Sequence, residues 1–327
     1  MVDGKISFGI IGTNFISDWF VAATKRTDCA VPLAVYSRTR ERGEEFAKNN
    51  SIERVYTSLD EMLRDDAIDA VYVASPTYLH KKHAVSALRA GKHVLCEKMI
   101  AIDCGELSEM TRAAKKAGKV LLEAMRPDFD GSVELIRAEL DKIGPVRRAS
   151  FDYCQYSSRY DKFKAGEVLN AFNPKMKNSA LADIGIYPLH TCINLFGEPS
   201  SVAARSIFLE NGFEAAGSVV MSYPGMLATI NYSKITDNVT PSVIEGEGGV
   251  ILIDRINGTD NITVTLRSGE SYRLDYKACP NNMHLEVIAF CDMIAGKISN
   301  EYYLGVSKKT MMCVEKIYAA SGIRFRP

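Results

Sequence analysis

The pair Glu97-Lys98 directly follows a short apolar run at 94–96, and a lysine in this position is suited to proton chemistry. The run is typical of a buried strand of a parallel sheet, and ligands of such sheets bind beyond the carboxyl ends of the strands. An ammonium group there would polarise or protonate an oxygen of a bound substrate. Lys98 is therefore a catalytic candidate. The alternative is an ordinary surface ion pair with Glu97.

Three protonatable side chains recur at helical spacing in the second half of the chain: Asp183, Tyr187 and His190. They share one face of a helix predicted over 181–196, because their spacings are four and three residues. Apolar residues fill most of the remaining positions, so we interpret the three as site residues. The alternative is a hydrogen-bonded polar network within the core. Pro188 fits this helix only in a first turn or at a kink.

A glycine-containing turn follows the first predicted strand. Its sequence, Gly12-Thr13-Asn14-Phe15-Ile16-Ser17, compares with the dinucleotide-binding pattern G-x-G-x-x-G/A, with Asn14 and Ser17 at the second and third positions. Asparagine tolerates a left-handed backbone, and serine is nearly as small as alanine. The following helix would offer N–H groups and a positive dipole end to a phosphate. The alternative is that Asn14 only caps this helix.

The end of the second predicted strand bears on the choice of cofactor. An NAD-specific site usually carries an acid here, which holds the ribose 2′-hydroxyl. This chain instead has Ser37 and Arg38, a hydroxyl and a guanidinium suited to a 2′-phosphate. The sequence therefore favours NADP over NAD, the alternative being that Arg38 is a solvated residue at the start of a helix.

The first 125 residues alternate strands and helices with short connections. Apolar runs predict strands at 6–11, 30–36, 69–75, 93–96 and 119–123, separated by helices at 15–25, 39–49, 79–90 and 103–117. Because the runs lack period-two alternation, they indicate strands buried on both faces. We therefore predict an α/β fold whose N-terminal part is a doubly wound Rossmann sheet of parallel strands with right-handed crossovers.

The remaining residues have a different pattern. After a helix at 132–142, eight extended stretches punctuated by turn signals are found at 146–156, 202–209, 215–223, 227–234, 243–247, 250–254, 262–266 and 271–276. Two further helices, at 283–295 and 306–320, close the chain. This predicts a C-terminal α+β domain with a large, mainly antiparallel open sheet. We expect a dinucleotide-binding domain at 1–125 and a substrate-binding and oligomerisation domain at 126–327, whose last helix is able to pack back on the first.

Composition excludes several classes of function. The 327 residues include 40 Lys plus Arg and 40 Asp plus Glu, so no single-sign field favours nucleic acid or an anionic membrane. No apolar run approaches the ~20 residues of a membrane span. Eight cysteines without a C-x-x-C pair, and His80 and His83 without further ligands, predict no metal site. Cysteines in apolar surroundings and no signal-like N-terminus predict a reduced, cytoplasmic protein.

Three segments together resemble the Gfo/Idh/MocA family of oxidoreductases, whose members include glucose–fructose oxidoreductase, inositol dehydrogenase and dihydrodiol dehydrogenase. The segments are ASPTYLH at 74–80, AGKHVLCEK at 90–98 and DIGIY at 183–187, and the resemblance spans nearly the whole chain. It implies an N-terminal dinucleotide domain that binds NADP or NAD, and a C-terminal open sheet that often builds a dimer or tetramer.

The resemblance also implies roles for individual residues. Lys98 matches the lysine of the family's Glu-Lys-Pro motif, which has a catalytic or substrate-orienting role. Tyr187 falls where some members keep a tyrosine acid/base and inositol dehydrogenases place a histidine. Asp183 would orient that group or the substrate, and His190 would support it. The residues matching positions that line the cofactor cleft are Ser75, Pro76, Thr77, His80, Glu97 and Arg126.

Three departures from the family pattern affect what the chain is expected to do. Met99 replaces the proline, so a cis peptide at this position would cost about 2.5–4 kcal/mol. Either the peptide is trans with Lys98 shifted, or the local chain is strained. Asn14 replaces a glycine, and Lys177-Asn178-Ser179-Ala180 replaces a glycine-rich stretch. Of these changes, Met99 and Asn14 keep open a non-catalytic sensor or regulator that binds a dinucleotide.

The combined prediction is an NAD(P)-dependent oxidoreductase that transfers a hydride between nicotinamide and a carbinol or carbonyl carbon. The substrate would be a sugar, polyol or cyclic diol, with Lys98 and Tyr187 managing the oxygen and its proton. The cleft between the two domains is expected to bring these groups together. Because the broad C-terminal sheet needs cover on one face, we expect a homodimer or homotetramer.

Overall fold

The computed structural model describes residues 4–258 and 261–325. These form two compact units. The first contains the described residues up to Phe129 together with Asn281–Gly305, and the second contains Asp130–Pro280 together with the described residues from Val306 onwards. Within the described residues, no helix combines the length and the apolar character that a membrane span requires.

The first unit is built on a parallel sheet of six strands. The strands are β1 (Ile6–Ile11), β2 (Ala30–Tyr36), β3 (Arg54–Tyr56), β4 (Ala70–Val73), β5 (His93–Glu97) and β6 (Leu121–Ala124). Their spatial order is β3-β2-β1-β4-β5-β6, and each neighbouring pair is parallel. The order reverses beside β1, which is where such sheets bind their ligands. The predicted doubly wound fold is confirmed.

Five helices accompany these strands: α1 (Phe15–Thr24), α2 (Arg40–Asn50), α3 (Leu59–Arg64), α4 (His80–Arg89) and α5 (Cys104–Ala117). Strand β3 and helix α3 were not predicted from the sequence and are three and six residues long. Both are too short to show a hydrophobic period. The core between sheet and helices is apolar and fully buried, with Phe20 of α1 stacked on Tyr72 of β4 at a centroid distance of 3.8 Å.

The second unit contains an eight-stranded sheet. Its strands are β7 (Val146–Cys154), β8 (Ser201–Phe208), β9 (Glu214–Tyr223), β10 (Met226–Ser233), β11 (Ser242–Gly246), β12 (Gly249–Ile253), β13 (Ile262–Leu266) and β14 (Ser271–Arg273). The order is β14-β13-β12-β11-β7-β10-β9-β8. The β7–β10 pair is parallel, and the other pairs are antiparallel. All eight predicted stretches therefore form strands of one mainly antiparallel sheet.

The remaining helices are α6 (Ser132–Glu139), α7 (Tyr160–Lys164), α8 (Ile186–Phe196), α9 (Met283–Ile294) and α10 (Glu301–Ser321). A π-helical turn, Leu181–Gly185, runs directly into α8, so the predicted helix at 181–196 consists of two parts. Pro188 is the third residue of α8 and lies directly after the π-helical turn. Helix α9 packs on α1 and β2, which is why Asn281–Gly305 belongs to the first unit rather than to the second.

The two faces of the eight-stranded sheet differ. Helix α8 packs on β7 and β10 and covers one face, where Ala149 and Phe151 are buried. Side chains that alternate with these, such as Ser150 and Asp152, point to the opposite face. On that opposite face Val220 is 42% exposed and Leu227 is 51% exposed. The sheet therefore presents an open surface of mixed polar and apolar character within its own unit.

Candidate functional site

The turn after β1 requires a glycine at its first position. Gly12 has φ of +119°, and a Cβ atom there would lie 2.7 Å from the carbonyl oxygen of Ala74. Any side chain would therefore collide with the backbone that follows β4. The close approach of the segments after β1 and β4 places the turn at the carboxyl ends of adjacent parallel strands, as a dinucleotide site requires.

Asn14 caps helix α1. Its Oδ1 accepts hydrogen bonds from the N–H groups of Ile16 (3.1 Å) and Ser17 (3.3 Å), and its Nδ2 donates to the carbonyl oxygen of Ala74 (2.8 Å). Its φ is −99°, so this position does not use the left-handed conformation that the sequence analysis considered. The N–H groups of Ile16 and Ser17, which were expected to be available to a phosphate, are thus bonded to Asn14. The capping alternative describes the observed geometry, and a phosphate role for residues 12–16 stays a prediction.

Ser37 and Arg38 follow β2 but differ in exposure. Ser37 is buried, and its N–H donates to the carbonyl oxygen of Tyr56 (3.0 Å), whereas Arg38 is exposed. Of the two side chains expected to meet a 2′-phosphate, the guanidinium is therefore the more accessible one. The contact of Ser37 with β3 also explains its burial, which could not be predicted because β3 was not recognised.

The segment after β4 is connected to the residue after Lys98 by a buried histidine. The His80 ring is within hydrogen-bond distance of two backbone carbonyl oxygens, Ser75 O at Nε2 (2.8 Å) and Met99 O at Nδ1 (3.0 Å). Burial lowers the pKa of His80 to about 4. The neutral ring carries a single N–H and therefore donates to only one of these two oxygens. In the same segment, Ser75 Oγ lies 2.9 Å from Nδ1 of His83. Pro76 is exposed, and Thr77 starts a 3-10 turn.

Glu97 and Lys98 do not have the surroundings of a surface ion pair. Glu97 is buried at the end of β5, where its carboxylate accepts a hydrogen bond from the Tyr72 hydroxyl and another from the Lys98 N–H (3.3 Å). Burial raises the pKa of Glu97. Lys98 is half-buried, and its peptide bond to Met99 is cis. The local chain thus has the cis form of the two that the sequence analysis considered, with Met99 fully buried.

Arg126 follows β6 and meets residues that the sequence analysis did not single out. Its Nη1 donates to Oδ1 of Asn282 (3.4 Å), and its guanidinium carbon lies 6.0 Å from the centroid of the Trp19 ring. Asn282 precedes α9, far away in sequence. Nothing in the local pattern at Asn282 could have indicated that α9 packs near the carboxyl edge of the sheet.

Glu286 of α9 is a fully buried carboxyl group whose two oxygens have no hydrogen-bond partner in the described part of the chain. Burial, and then the charge of Glu97, raise its pKa well above the usual carboxyl range, against the opposing charge of Arg126. Burial and the neighbouring charge of Glu97 therefore disfavour the ionised form of Glu286 more strongly in the folded protein than in the unfolded chain. Folding stability consequently falls as pH rises above the ordinary carboxyl range.

We expect Glu286→Gln to be more stable than the unmodified protein, with a difference in Tm that grows as pH rises above the ordinary carboxyl pKa of about 4.3. The amide has nearly the shape of the protonated acid but does not titrate. Glu139→Gln is a control for which the opposite change in stability with pH is expected. Burial raises the pKa of Glu139, but hydrogen bonds from Tyr272 and Lys142 lower it overall. That variant should be less stable at neutral pH, with the gap closing in acid. A pH-independent Tm difference for Glu286→Gln would refute this assignment.

In the second unit, Asp183 forms an ion pair with Lys234. The Asp183 Oδ2 and Lys234 Nζ atoms are 2.6 Å apart, and the Lys234 side chain is almost completely buried. Lys234 Nζ also donates to the carbonyl oxygen of Ala171 (3.0 Å) and lies 4.9 Å from the centroid of the Phe172 ring. The pair fixes the Asp183 carboxylate on the π-helical turn, a feature frequently found at functional sites. Lys234 was not recognised from the sequence, because a lysine at the end of a strand usually reaches solvent.

Tyr187 and His190 lie in different surroundings on α8. Tyr187 is 8% exposed, and its ring packs edge-on against Tyr153 of β7 at a centroid distance of 6.0 Å. His190 is 1% exposed, and its Nδ1 lies 3.4 Å from Oγ1 of Thr310 on α10. His190 therefore has the core contact that the alternative interpretation described. Its supporting role in catalysis stays a prediction, as does the acid/base role of Tyr187.

Comparison with known proteins decides the family. A model of the oxidoreductase family with an NAD-binding Rossmann fold matches residues 6–125, and a model of the GFO/IDH/MocA C-terminal domain matches residues 135–252. The chain belongs to the Gfo/Idh/MocA family. This confirms the resemblance stated from three short segments. The protein is accordingly an NAD(P)-binding oxidoreductase.

Curated relatives of this Gfo/Idh/MocA protein include enzymes of known activity. The chain is 44% identical over 276 residues to the scyllo-inositol 2-dehydrogenase (NADP+) IolU of Bacillus subtilis, covering 84% of this chain and 83% of the relative. It is 36% identical to the uncharacterised oxidoreductase YgjR of Escherichia coli, covering 98% of each chain. A trans-1,2-dihydrobenzene-1,2-diol dehydrogenase of Xenopus tropicalis is 30% identical, covering 75% of this chain and 74% of the relative.

Solved structures share the fold. The 3-ketoreductase KijD10 from Actinomadura kijaniata, in complex with NADP and TDP-benzene, aligns with a TM-score of 0.85 at 19% identity, covering 97% of this chain and 98% of that one. The aldose-aldose oxidoreductase from Caulobacter crescentus complexed with glycerol gives a TM-score of 0.85 at 24% identity, with the same coverage. At such identities the likeness establishes the architecture of both units.

The first unit of this Gfo/Idh/MocA protein fits a bound NAD(P) at the carboxyl edge of its sheet. Gly12 leaves no room for a side chain beside Ala74, and Arg38 is exposed at the end of β2. Residues from the turns after β1, β2, β4, β5 and β6 would hold the cofactor: Gly12, Arg38, Ser75, Lys98 and Arg126. Each of these turns lies at the same edge of a parallel sheet. The described residues contain no group of His, Cys, Asp and Glu arranged to hold a metal ion.

Proposed function

We propose that the protein oxidises a secondary hydroxyl of a cyclic polyol or sugar, and reduces the corresponding ketone in the reverse direction, with NADP as the preferred cofactor. The observation that carries this proposal is the 44% identity, over 84% of the chain, to a scyllo-inositol 2-dehydrogenase that uses NADP+. A dihydrodiol dehydrogenase among the relatives also acts, by its name, on a ring carbon that bears a hydroxyl group.

The bound nicotinamide supplies the hydride acceptor, and the protein must manage the hydroxyl proton. We assign polarisation of the substrate oxygen to Lys98, which is half-buried beside the buried carboxyl group of Glu97. We assign transfer of the proton to the phenol of Tyr187. Asp183, oriented by its ion pair with Lys234, would receive a hydrogen bond from a neighbouring substrate hydroxyl. A polyol offers such a hydroxyl on each adjacent carbon.

A turnover screen tests the proposed activity. The purified protein is incubated with NADP+ or NAD+ and a panel of inositols, sugars and dihydrodiols, and the absorbance of reduced nicotinamide is followed. The Bacillus subtilis scyllo-inositol dehydrogenase serves as the positive control under the same conditions. We expect turnover with at least one cyclic polyol. Dinucleotide binding without turnover on any member of the panel would contradict the proposal and favour the sensor.

The exposed guanidinium of Arg38 underlies the preference for NADP. We expect calorimetry to show tighter binding of NADP(H) than of NAD(H), because a charge-assisted contact to the 2′-phosphate contributes about 1–3 kcal/mol. Arg38→Ala should lose most of this difference without weakening NAD(H) binding. Arg40→Ala, which removes the next exposed arginine along the chain, is the matched control and should keep the preference. Equal affinities in the unmodified protein would refute this assignment.

We also propose that the open face of the eight-stranded sheet is covered in solution by a second copy of the chain, in a homodimer or homotetramer. The exposed apolar side chains Val220 and Leu227 support this arrangement, because a covered face would bury them. Light scattering should give a multiple of the 36.1 kDa chain mass, and a mass near 36.1 kDa at micromolar concentrations would contradict it.

The eight free cysteines suit a reducing location such as the cytoplasm.

A further inference from the structure

Glu214, the first residue of β9, is a buried carboxyl group to which the sequence analysis gave no role. The residue is 2% exposed. Its Oε2 accepts a hydrogen bond from the N–H of Leu181 (3.0 Å), and its Oε1 accepts one from the Ser206 hydroxyl of β8 (3.1 Å). Both oxygens are thus bonded, and each bond comes from a different element of the unit, β8 for one and the π-helical turn for the other.

The bond to Leu181 is made at the start of the helical segment that carries two residues of the proposed site. Leu181 begins the π-helical turn that carries Asp183 and runs directly into α8, which carries Tyr187. The first N–H groups of a helix have no partner within the helix and must find one elsewhere. Here Ser179 Oγ accepts from the Ala182 N–H (3.1 Å), and Glu214 satisfies the Leu181 N–H from the neighbouring sheet. A negative charge there is also favoured by the helix dipole.

We propose that ionised Glu214 is a positioning residue that fixes the start of the helix bearing Asp183 and Tyr187. This inference rests on the proposed function for the significance of Asp183 and Tyr187, but not for the contact itself. The carboxylate acts through Leu181 on the turn, and the turn orients Asp183 against Lys234. When the carboxyl group is protonated, it loses its charge and one oxygen becomes a donor, so its hold on the helix start weakens.

The surroundings of Glu214 place this change in the neutral pH range. Burial raises the pKa of Glu214 to about 7, opposed by the hydrogen bonds from Leu181 and Ser206. The titratable side chain facing it is Tyr232 of β10, whose own pKa is raised well above its usual value by burial, so that it stays neutral in this range. Ser206 of β8 does not titrate. The helix start should therefore tighten as pH rises through about 7.

Hydrogen–deuterium exchange detects this tightening without requiring turnover. Exchange of a peptide covering 180–190 is measured on the full chain on either side of neutral pH and corrected for the intrinsic exchange rate. The unmodified protein should exchange about tenfold faster on the acid side, the scale of one charge-assisted hydrogen bond. In Glu214→Gln, exchange should be fast and independent of pH. Ser206→Ala removes the partner of the other oxygen and should retain the pH dependence.

Three outcomes would overturn the proposal. One is corrected exchange in the unmodified protein that does not change across neutral pH, a result that does not depend on any variant folding. The second is a pH dependence that survives in Glu214→Gln, and the third is its loss in Ser206→Ala. Peptides from the sheet of the first unit serve as the internal reference. Because no substrate is used, failure of the polyol screen leaves this test intact, and the two proposals fail separately.

Where a substrate is available, kinetics add a second readout. Glu214→Gln should reduce kcat and remove an ionisation near neutral pH from the pH profile, while the KM for NADP+ stays the same. A structural role alone would lower the amount of active enzyme without changing the shape of the profile. An unchanged profile with reduced active protein would therefore also count against the proposal.

Discussion

Replacing Lys98 with methionine should reduce kcat by about 10²–10⁴-fold while leaving the dissociation constant of NADP+ nearly unchanged, because positioned proton transfer contributes about that factor. Methionine keeps most of the length and apolar bulk of the side chain but cannot carry a charge. The measurement combines steady-state kinetics on the polyol found in the screen with calorimetry of NADP+ binding.

Lys82→Met is the matched control for this variant. Lys82 is an exposed lysine on α4 of the same unit, so its loss removes one positive charge without touching the proposed site. We expect its kcat to remain within about twofold of the unmodified value, since exposed surface substitutions have small effects. If Lys98→Met turned over at the unmodified rate, Lys98 would not be catalytic, although the family assignment would stand.

Tyr187→Phe should reduce kcat by a comparable factor, about 10²–10⁴-fold, through loss of a single oxygen atom. The ring packs edge-on against Tyr153, and phenylalanine preserves that contact, so stability should change little. Steady-state kinetics of the variant and of the unmodified protein measure this effect on kcat.

Tyr272→Phe provides the control, because Tyr272 of β14 donates its hydroxyl to Glu139 (2.6 Å) and has no proposed role in turnover. It should keep kcat. A Tyr187→Phe variant with the same kcat as the unmodified protein would show that another group manages the proton. If Lys98 and Tyr187 serve the same proton transfer, the double variant should lose much less than the product of the single effects.

The arrangement of the first unit was predictable where strands were long and apolar. Strands β1, β2 and β5 are buried along most of their lengths, and their apolar runs predicted them within a residue or two. Strand β3 was not predictable, because a three-residue segment beginning with Arg54 shows no period. It is held at the edge of the sheet by pairing with β2, and that pairing is a tertiary contact.

The position of α9 shows a different limit. Its sequence predicted a helix, and the helix exists, but nothing in its residues indicated which unit it joins. Phe290 packs against Phe8 of β1 at a centroid distance of 5.9 Å, a contact between residues at opposite ends of the chain. The buried Glu286 belongs to this helix and would have been expected to face solvent.

Within the candidate site, the sequence identified groups by type and helical spacing but not by partner. Asp183 and Tyr187 were singled out from their four-residue spacing, yet the residue that fixes Asp183 is Lys234, 51 positions away. Glu214 is similarly remote from Leu181. Such partners come from sheet register, which brings β9 and β10 beside the π-helical turn, and one sequence does not specify that register.

The two replacements that kept the sensor alternative open now have structural descriptions. Asn14 caps α1 with hydrogen bonds to Ile16 and Ser17, and it also bonds the backbone after β4. Met99 is fully buried after the cis peptide, and its carbonyl oxygen contacts the His80 ring. Each residue is integrated into the turn it occupies. A direct measurement of hydride transfer is therefore what distinguishes the enzyme from the sensor.

Transfer of deuterium from a ring-deuterated cyclic polyol to NADP+ tests the central claim most directly. The purified protein is incubated with NADP+ and scyllo-inositol carrying deuterium on its ring carbons, and the reduced cofactor is analysed by mass spectrometry. The account predicts reduced NADP that carries one deuterium from the carbinol carbon, with almost none formed by Lys98→Met. Reduced NADP without the label, or none at all from any labelled cyclic polyol while the cofactor binds normally, would contradict it.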